Sequence, residues 1–137
     1  MTKQEIYSFI NKNQNCTLAT IDGNKPRVRG MMIYSADENG IIFHTGINRE
    51  MYKQIKTNPN VELCFINDNT QIRISGIATE EKDLRLKEEI VSKRTFLKPV
   101  VDSHGYDTFI LFRVQKLVAT VWSMATNMMP KEFMELN

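Results

Sequence analysis

Residues 15–45 read NCTLATIDGNKPRVRGMMIYSADENGIIFHT, and this stretch decides the fold class. Asn15 to Ile21 is rich in β-branched residues, Asp22-Gly23-Asn24 is turn chemistry, and Arg27 to Ala36 resumes an extended pattern, which together predict a hairpin. A second turn, Asp37-Glu38-Asn39-Gly40, leads into the strand Ile41 to Thr45. Connections this short leave no room for a parallel crossover, so the sheet is expected to be antiparallel.

The rest of the chain fits around that meander. Upstream, Thr2-x-x-Glu5 has capping-box spacing, and Ile6, Phe9 and Ile10 recur at helical intervals, predicting a short amphipathic helix from Thr2 to Asn13. Downstream, Gly46 breaks the strand, Asn48 is expected to cap a helix reaching about Thr57, and Asn58-Pro59-Asn60 stops it. Val61 to Ile66 and Gln71 to Thr79 flank Asn67-Asp68-Asn69 as another hairpin. Glu80 to Lys93 reads as a helix with Leu84, Leu86, Ile90 and Val91 on its apolar side. Phe96 to Tyr106, holding Pro99 and Gly105, reads as irregular, and Thr108 to Trp122 as a last strand. The pattern after Ser123 fits no single element. The expectation is one mainly β (α+β) domain over 1–137, a six-stranded antiparallel β-barrel with inserted and flanking helices.

Composition narrows the function classes. With 137 residues and 42% apolar content the chain can build one real core, and 18 basic against 16 acidic residues leave +2, too near balance for a nucleic-acid groove. No stretch approaches the roughly 20 apolar residues of a membrane span, and Met1-Thr2-Lys3-Gln4-Glu5 lacks the apolar run of a secretory signal. A soluble, cytoplasmic protein with neither a nucleic-acid nor a membrane partner is expected. Cys16 and Cys64 each lie in an apolar run without a neighbouring cysteine, predicting buried thiols rather than a disulfide framework or a zinc knuckle.

Two segments carry candidate chemistry. On the strand Arg27 to Tyr34, alternation places Val28, Gly30, Met32 and Tyr34 on one face and Arg27, Arg29, Met31 and Ile33 on the other. Arginines sharing a face with Met31 and Ile33 suit a ligand both anionic and apolar; snorkelling arginines on an exposed face fit the same pattern. In Thr45-Gly46-Ile47-Asn48-Arg49-Glu50-Met51-Tyr52-Lys53, a hydroxyl and a glycine precede a helix start, where free N–H groups favour an anion. Arg49 and Lys53 are four apart, a repulsive pair on a helix that a phosphate, or Glu50 and solvent, would relieve. His44, at a strand end, either reaches a ligand or is structural; with no carboxylate or cysteine at ligand spacing, no metal site is expected. Neither a Gly-x-Ser-x-Gly elbow nor a Gly-rich dinucleotide fingerprint is present. Trp122 could cap the core, stack on a planar ligand or anchor a subunit contact. Met124, Met128, Met129 and Met134 suit adaptable packing on a partner surface or a loose terminus.

Taken in order, Leu18-Ala19-Thr20, Pro26-Arg27-Val28-Arg29, Phe43-His44-Thr45, Tyr52-Lys53-Gln54-Ile55, Asn58-Pro59-Asn60-Val61-Glu62-Leu63 and Ile72-Arg73-Ile74-Ser75-Gly76 resemble the pyridoxamine 5'-phosphate oxidase-like family of FMN-binding split barrels. The resemblance runs from about Cys16 to Glu80. It implies a split β-barrel and a homodimer with FMN at the subunit interface. By position, Arg29 would address the phosphate and Gly30, Met31 and Met32 would lie along the flavin. His44 and Thr45 would touch FMN, and Arg49 and Lys53 fall in the basic helix. Gln71 matches a polar position near the ring, and Trp122 a late aromatic reaching in from the partner. Gly30 stands where many relatives have Pro, and Met51 where a basic residue is common. The resemblance implies an FMN-dependent oxidoreductase serving a small-molecule electron acceptor, with no side chain singled out as acid or base. A non-catalytic flavin carrier or redox sensor is the alternative, and haem or a deazaflavin the alternative cofactors; a barrel binding single-stranded nucleic acid fits the charge least. Ser123 to Asn137 offers only Lys131 as a basic group, so true vitamin B6 oxidation is not expected.

Overall fold

A computed structural model describes all of residues 1–137. Helix α1 (Lys3–Lys12) starts where its cap predicts: the Thr2 hydroxyl accepts from the Glu5 N–H at 3.1 Å. Strands β1 (Asn15–Asp22), β2 (Lys25–Asp37) and β3 (Gly40–Gly46) form the antiparallel meander, and Gly23 takes φ +65° in the first turn. Helix α2 (Glu50–Thr57) is followed by the hairpin β4 (Asn60–Asn67) and β5 (Thr70–Glu81). After α3 (Leu84–Lys93) and α4 (Lys98–His104) comes the long strand β6 (Phe109–Ser123). No helix is long and apolar enough to cross a membrane.

The strands are ordered β3-β2-β1-β4-β5-β6, and β6 also pairs with β3, closing a six-stranded antiparallel barrel. Closure is close-packed at Gly40, where an added Cβ would come within 2.4 Å of the Val114 carbonyl. Alternation fills the interior with Leu18, Ile33, Phe43, Leu63, Phe65, Ile72, Ile74 and Phe112, and α1 adds Ile6 and Ile10. A second, smaller cluster lies outside the barrel wall: Ile42, Phe109 and Leu111 face Ile90, Val91, Leu97 and Val101. There the sheet is buried on both faces, so the runs Ile41-Ile42-Phe43 and Phe109 to Phe112 are continuously apolar. That outer cluster fixes α3 and α4 beside the β3 end.

Four sequence expectations need correction. Glu80 and Glu81 belong to β5, not to a helix: they pair with Phe112 and Leu111, and Glu81 meets Arg113 at 3.1 Å. The helix starts at Leu84 behind an Asp83 cap, and Leu84 itself is exposed. The segment 96–106 is mostly helical rather than irregular, because Pro99 sits in the first turn of α4, where its missing N–H has no intrahelical partner to lose. The cap of α2 is Arg49, not Asn48. Beyond Ser123, the two-residue strand β7 (Met134–Glu135) pairs with β6 and Leu136 is buried, so part of the tail packs on its own chain.

Candidate functional site

A cleft of about 720 Å³ opens between the β2–β3 edge, the head of α2 and the α4 side of the outer cluster. That volume suits a small-molecule ligand. β2 supplies Arg29, Gly30 and Met31, and the end of β3 supplies His44, Thr45 and Gly46. Asn48, Arg49, Glu50 and Met51 form the head of α2, while Leu97, Val100, His104, Thr108 and Phe109 form the far wall.

The alternation of β2 turns Arg29 to the same side as the buried Ile33, while Val28 is 68% exposed. Arg29 does not snorkel. Its Nη1 donates to Thr20 Oγ1 at 2.7 Å and its Nη2 to Gln54 Oε1 at 2.7 Å, and the Thr20 hydroxyl donates to the same Gln54 oxygen at 2.6 Å. Burial lowers the Arg29 pKa, an effect that Glu50 opposes. None of its hydrogen-bond partners is charged, so its positive charge stays available to an anion.

At the head of α2 the Arg49 N–H returns to the Gly46 carbonyl at 3.0 Å, but the N–H groups of Asn48, Glu50 and Met51 donate to no acceptor in the protein. Arg49 makes no side-chain cap bond and no ion pair, and the Thr45 hydroxyl has no partner. Two arginines, a hydroxyl and unpaired helix-head N–H groups are the donor set a phosphate monoester needs. At Gly30 an added Cβ would meet nothing within 4 Å, so the cleft floor there is open. His44 packs its ring on Phe109 at 5.2 Å between centroids, and burial, then the Arg94 charge, lower its pKa to about 4. It is a neutral imidazole at ordinary pH.

The cleft thus gathers Arg29, Gly30, Met31, His44, Thr45 and Arg49, six of the ten positions marked by the sequence. Met32 lies on β2 outside the lining, half-buried. Lys53 is exposed one turn after Arg49 and also outside it. Gln71 and Trp122 are cross-strand neighbours on β5 and β6, away from the cleft, and Trp122 Nε1 donates to Asn127 Oδ1 at 2.8 Å. Sequence reasoning missed Thr20 and Gln54, which hold Arg29, and the α4 wall. A buried threonine facing a helical glutamine leaves no linear signal, whereas the wall was visible in Pro99 had it been read as a helix start.

Comparison with known proteins follows the same lines. The family profile described as "Pyridoxamine 5'-phosphate oxidase" matches residues 2–117. The pyridoxine/pyridoxamine 5'-phosphate oxidase of Pelagibacter ubique (strain HTCC1062) is 27% identical over 90 residues, 64% of this chain and 43% of that protein. The chain therefore spans less than half the length of that relative. Among solved structures, a NimC/NimA family protein from Clostridium acetobutylicum has a TM-score of 0.78 at 24% identity, covering 96% of this chain and 91% of its own. A heme storage protein from Vibrio cholerae has a TM-score of 0.59 at 19% identity, covering 82% and 87%. At these identities the two structures share the fold.

Proposed function

The chain belongs to the pyridoxamine 5'-phosphate oxidase family, and on that premise we propose that it is a flavoprotein that holds FMN in this cleft and works as an oxidoreductase, carrying electrons from a reductant to a small-molecule acceptor. One observation carries the reading: Arg29, Arg49, the Thr45 hydroxyl and the unpaired N–H groups of Glu50 and Met51 line one side of the same cleft. Bound FMN would supply the electron chemistry that no side chain offers. The part played by this chain is to hold and orient. Arg29, fixed through Thr20 and Gln54, and Arg49 bind the phosphate; Gly30 leaves room along β2; neutral His44 adds a hydrogen-bonding group without a further charge.

The partner reading extends the site. In a homodimer with FMN at the subunit interface, Gln71 and Trp122 would reach the cleft of the other copy, and Met32 would lie toward the ring. Lys53, outside the lining, would act on the phosphate only at long range. The far wall, with Leu97, Val100, His104 and Thr108, holds neither lysine nor arginine. One phosphate is served and a second, such as that of a pyridoxyl phosphate, finds no fixed cation, so the reading is an oxidoreductase other than a vitamin B6 oxidase.

Absorption of the purified protein and titration of the apo-protein with FMN and riboflavin test the proposal. A flavin spectrum with FMN bound at least about tenfold more tightly than riboflavin is expected, since a charge-assisted contact is worth about 1.5–3 kcal/mol. Equal affinities, or a haem spectrum in place of a flavin one, would overturn it. Reducible FMN with no turnover on any acceptor would favour the carrier or sensor instead.

A further inference from the structure

The twelve residues from Ser123 to Met134, SMATNMMPKEFM, hold four of the eight methionines of the chain and no leucine, isoleucine or valine. Met134 packs on the barrel core, whereas Met124, Met128 and Met129 are exposed, Met128 to 91%. Leucine covers apolar surface as well as methionine does. What methionine adds is a flexible arm ending in a soft, polarisable thioether.

The segment that carries them is a closed loop. It leaves β6 at Ser123 and returns to it through β7, where Met134 pairs with Ala119. Trp122 Nε1 donates to Asn127 Oδ1 at 2.8 Å and the Thr120 hydroxyl to the Glu132 carbonyl at 2.8 Å, so both arms of the loop are fastened to β6. Between those points the Asn127 N–H donates to the Met124 carbonyl at 3.3 Å, and the Met129 N–H to the Thr126 carbonyl at 3.0 Å. The two turns overlap: a 3-10 turn over Met124–Thr126 runs on through Asn127, whose backbone is right-handed helical. On such a path residues four apart stand on one side, which sets Met128 beside Met124, with Met129 adjoining.

Three thioethers on one short, fastened loop are a donor set with a definite preference. Thioether sulfur is neutral and soft and favours Cu(I), whereas Mg(II) and Ca(II) take oxygen ligands and Zn(II) takes thiolate, imidazole or carboxylate. Nowhere in the fold do three or more histidine, cysteine, aspartate or glutamate side chains gather to hold such a harder ion. We propose that the loop after β6 is a soft-metal site, in which the thioethers of Met124, Met128 and Met129 together bind one Cu(I) ion. The site stands apart from the cleft and does not depend on the flavin reading.

Ag(I), a closed-shell ion with the charge and softness of Cu(I) and stable in air, is the probe. Silver nitrate is titrated into protein labelled with 13C in its methionine methyl groups. The signals of Met124, Met128 and Met129 are expected to shift together and saturate at one ion, while those of Met31, Met32, Met51 and Met134 stay in place. In Met128→Leu the shifts at Met124 and Met129 should need at least about tenfold more Ag(I), because removing one arm of a chelate weakens the others. Leucine keeps the apolar surface, so lost packing or association does not explain that change. Cys16 is buried, and Cys64→Ser, which removes the half-buried thiol, should leave the methyl shifts as they are. No shift at the three methionines, shifts at Met124 and Met129 that are indifferent to Met128→Leu, or equal shifts with Zn(II) overturns the inference.

Discussion

The guanidinium of Arg29 and the side-chain amide of Gln54 are joined by a 2.7 Å hydrogen bond from Nη2 to Oε1, across from β2 to the buried side of α2. Thr20 on β1 closes the ring, donating to the same oxygen at 2.6 Å and accepting from Arg29 Nη1 at 2.7 Å. With two of its nitrogens fixed by neutral groups, a planar guanidinium has its orientation set before any ligand arrives. An anion then meets a cation already oriented and held in no ion pair, with Glu50 as the nearby opposing charge.

Replacing that neutral partner by a charged one should separate orientation from charge. In Gln54→Glu the carboxylate pairs with Arg29 and competes with the phosphate, so FMN affinity is expected to fall by at least about tenfold while riboflavin affinity changes by less than about twofold. Gln54→Leu should instead lose about 1–3 kcal/mol of stability, because the Thr20 hydroxyl and Arg29 Nη2 both lose their buried acceptor. Flavin titrations and urea melts of the two variants check both outcomes.

Arg49 and Lys53 should behave differently although the sequence presents them as a pair. Arg49 lines the cleft and Lys53 does not. Arg49→Ala is expected to weaken FMN by about tenfold or more, and Lys53→Ala by less than about threefold with apo stability unchanged or slightly raised, since an i,i+4 repulsion is removed. A larger FMN loss in Lys53→Ala than in Arg49→Ala would reverse this assignment.

Much of the barrel was legible because turn chemistry and period-2 alternation are local. Asp22-Gly23-Asn24, Asp37 to Gly40 and Asn67 to Asn69 punctuate strands whose apolar faces agree with the observed interior. What failed depended on distant partners. Glu80 and Glu81 extend β5 because β6 lies beside them, and Leu136 is buried because β6 offers it a surface. Within the site, Arg29 and Arg49 could be marked from their neighbours in sequence. The Arg29–Thr20–Gln54 ring could not, since it joins residues up to 34 positions apart. The split between Arg49 and Lys53 likewise depends on where α2 begins, its cap at Arg49 lying one residue after the expected one.

The exposed apolar residues beyond β6 bear on assembly. Met124, Met128, Met129 and Phe133 are 64, 91, 65 and 66% exposed, a cluster in one segment of the kind that marks an association surface. A dimer is expected in light scattering at micromolar concentration, and Met128→Asp with Met129→Asp should shift it toward monomer without lowering the stability of the isolated fold. A flavin-bound monomer of the unaltered protein would contradict the homodimer.

Leu136 gives the tail an energetic role inside the chain. Its side chain is 4% exposed, its N–H donates to the Leu117 carbonyl at 2.8 Å, and its carbonyl accepts from the Tyr7 hydroxyl at 3.2 Å. Leu136→Ala is expected to cost about 2–5 kcal/mol in denaturant unfolding. A loss below about 0.5 kcal/mol would show that the tail contributes little to the fold.

His44 should make stability depend on pH in a definite window. Burial, followed by the nearby Arg94 charge, lowers its folded pKa from the ordinary value of 6.5 to about 4. Between those two values the unfolded chain binds a proton that the folded chain refuses, so the stability contributed by neutral His44 is fully present above about pH 6.5 and is lost as pH falls toward about 4. At about 1.4 kcal/mol per unit the loss is on the order of 3 kcal/mol by pH 4 and has an upper limit of about 3.5 kcal/mol. His44→Phe keeps a ring beside Phe109, whose centroid lies 5.2 Å away, and removes the titration. Urea unfolding of both proteins between pH 7 and pH 4 should therefore show a slope in the unaltered protein that is smaller by about one proton in the variant. Parallel slopes through that window would mean that His44 remains protonatable in the folded state, and the neutral imidazole assigned to the cleft would be wrong.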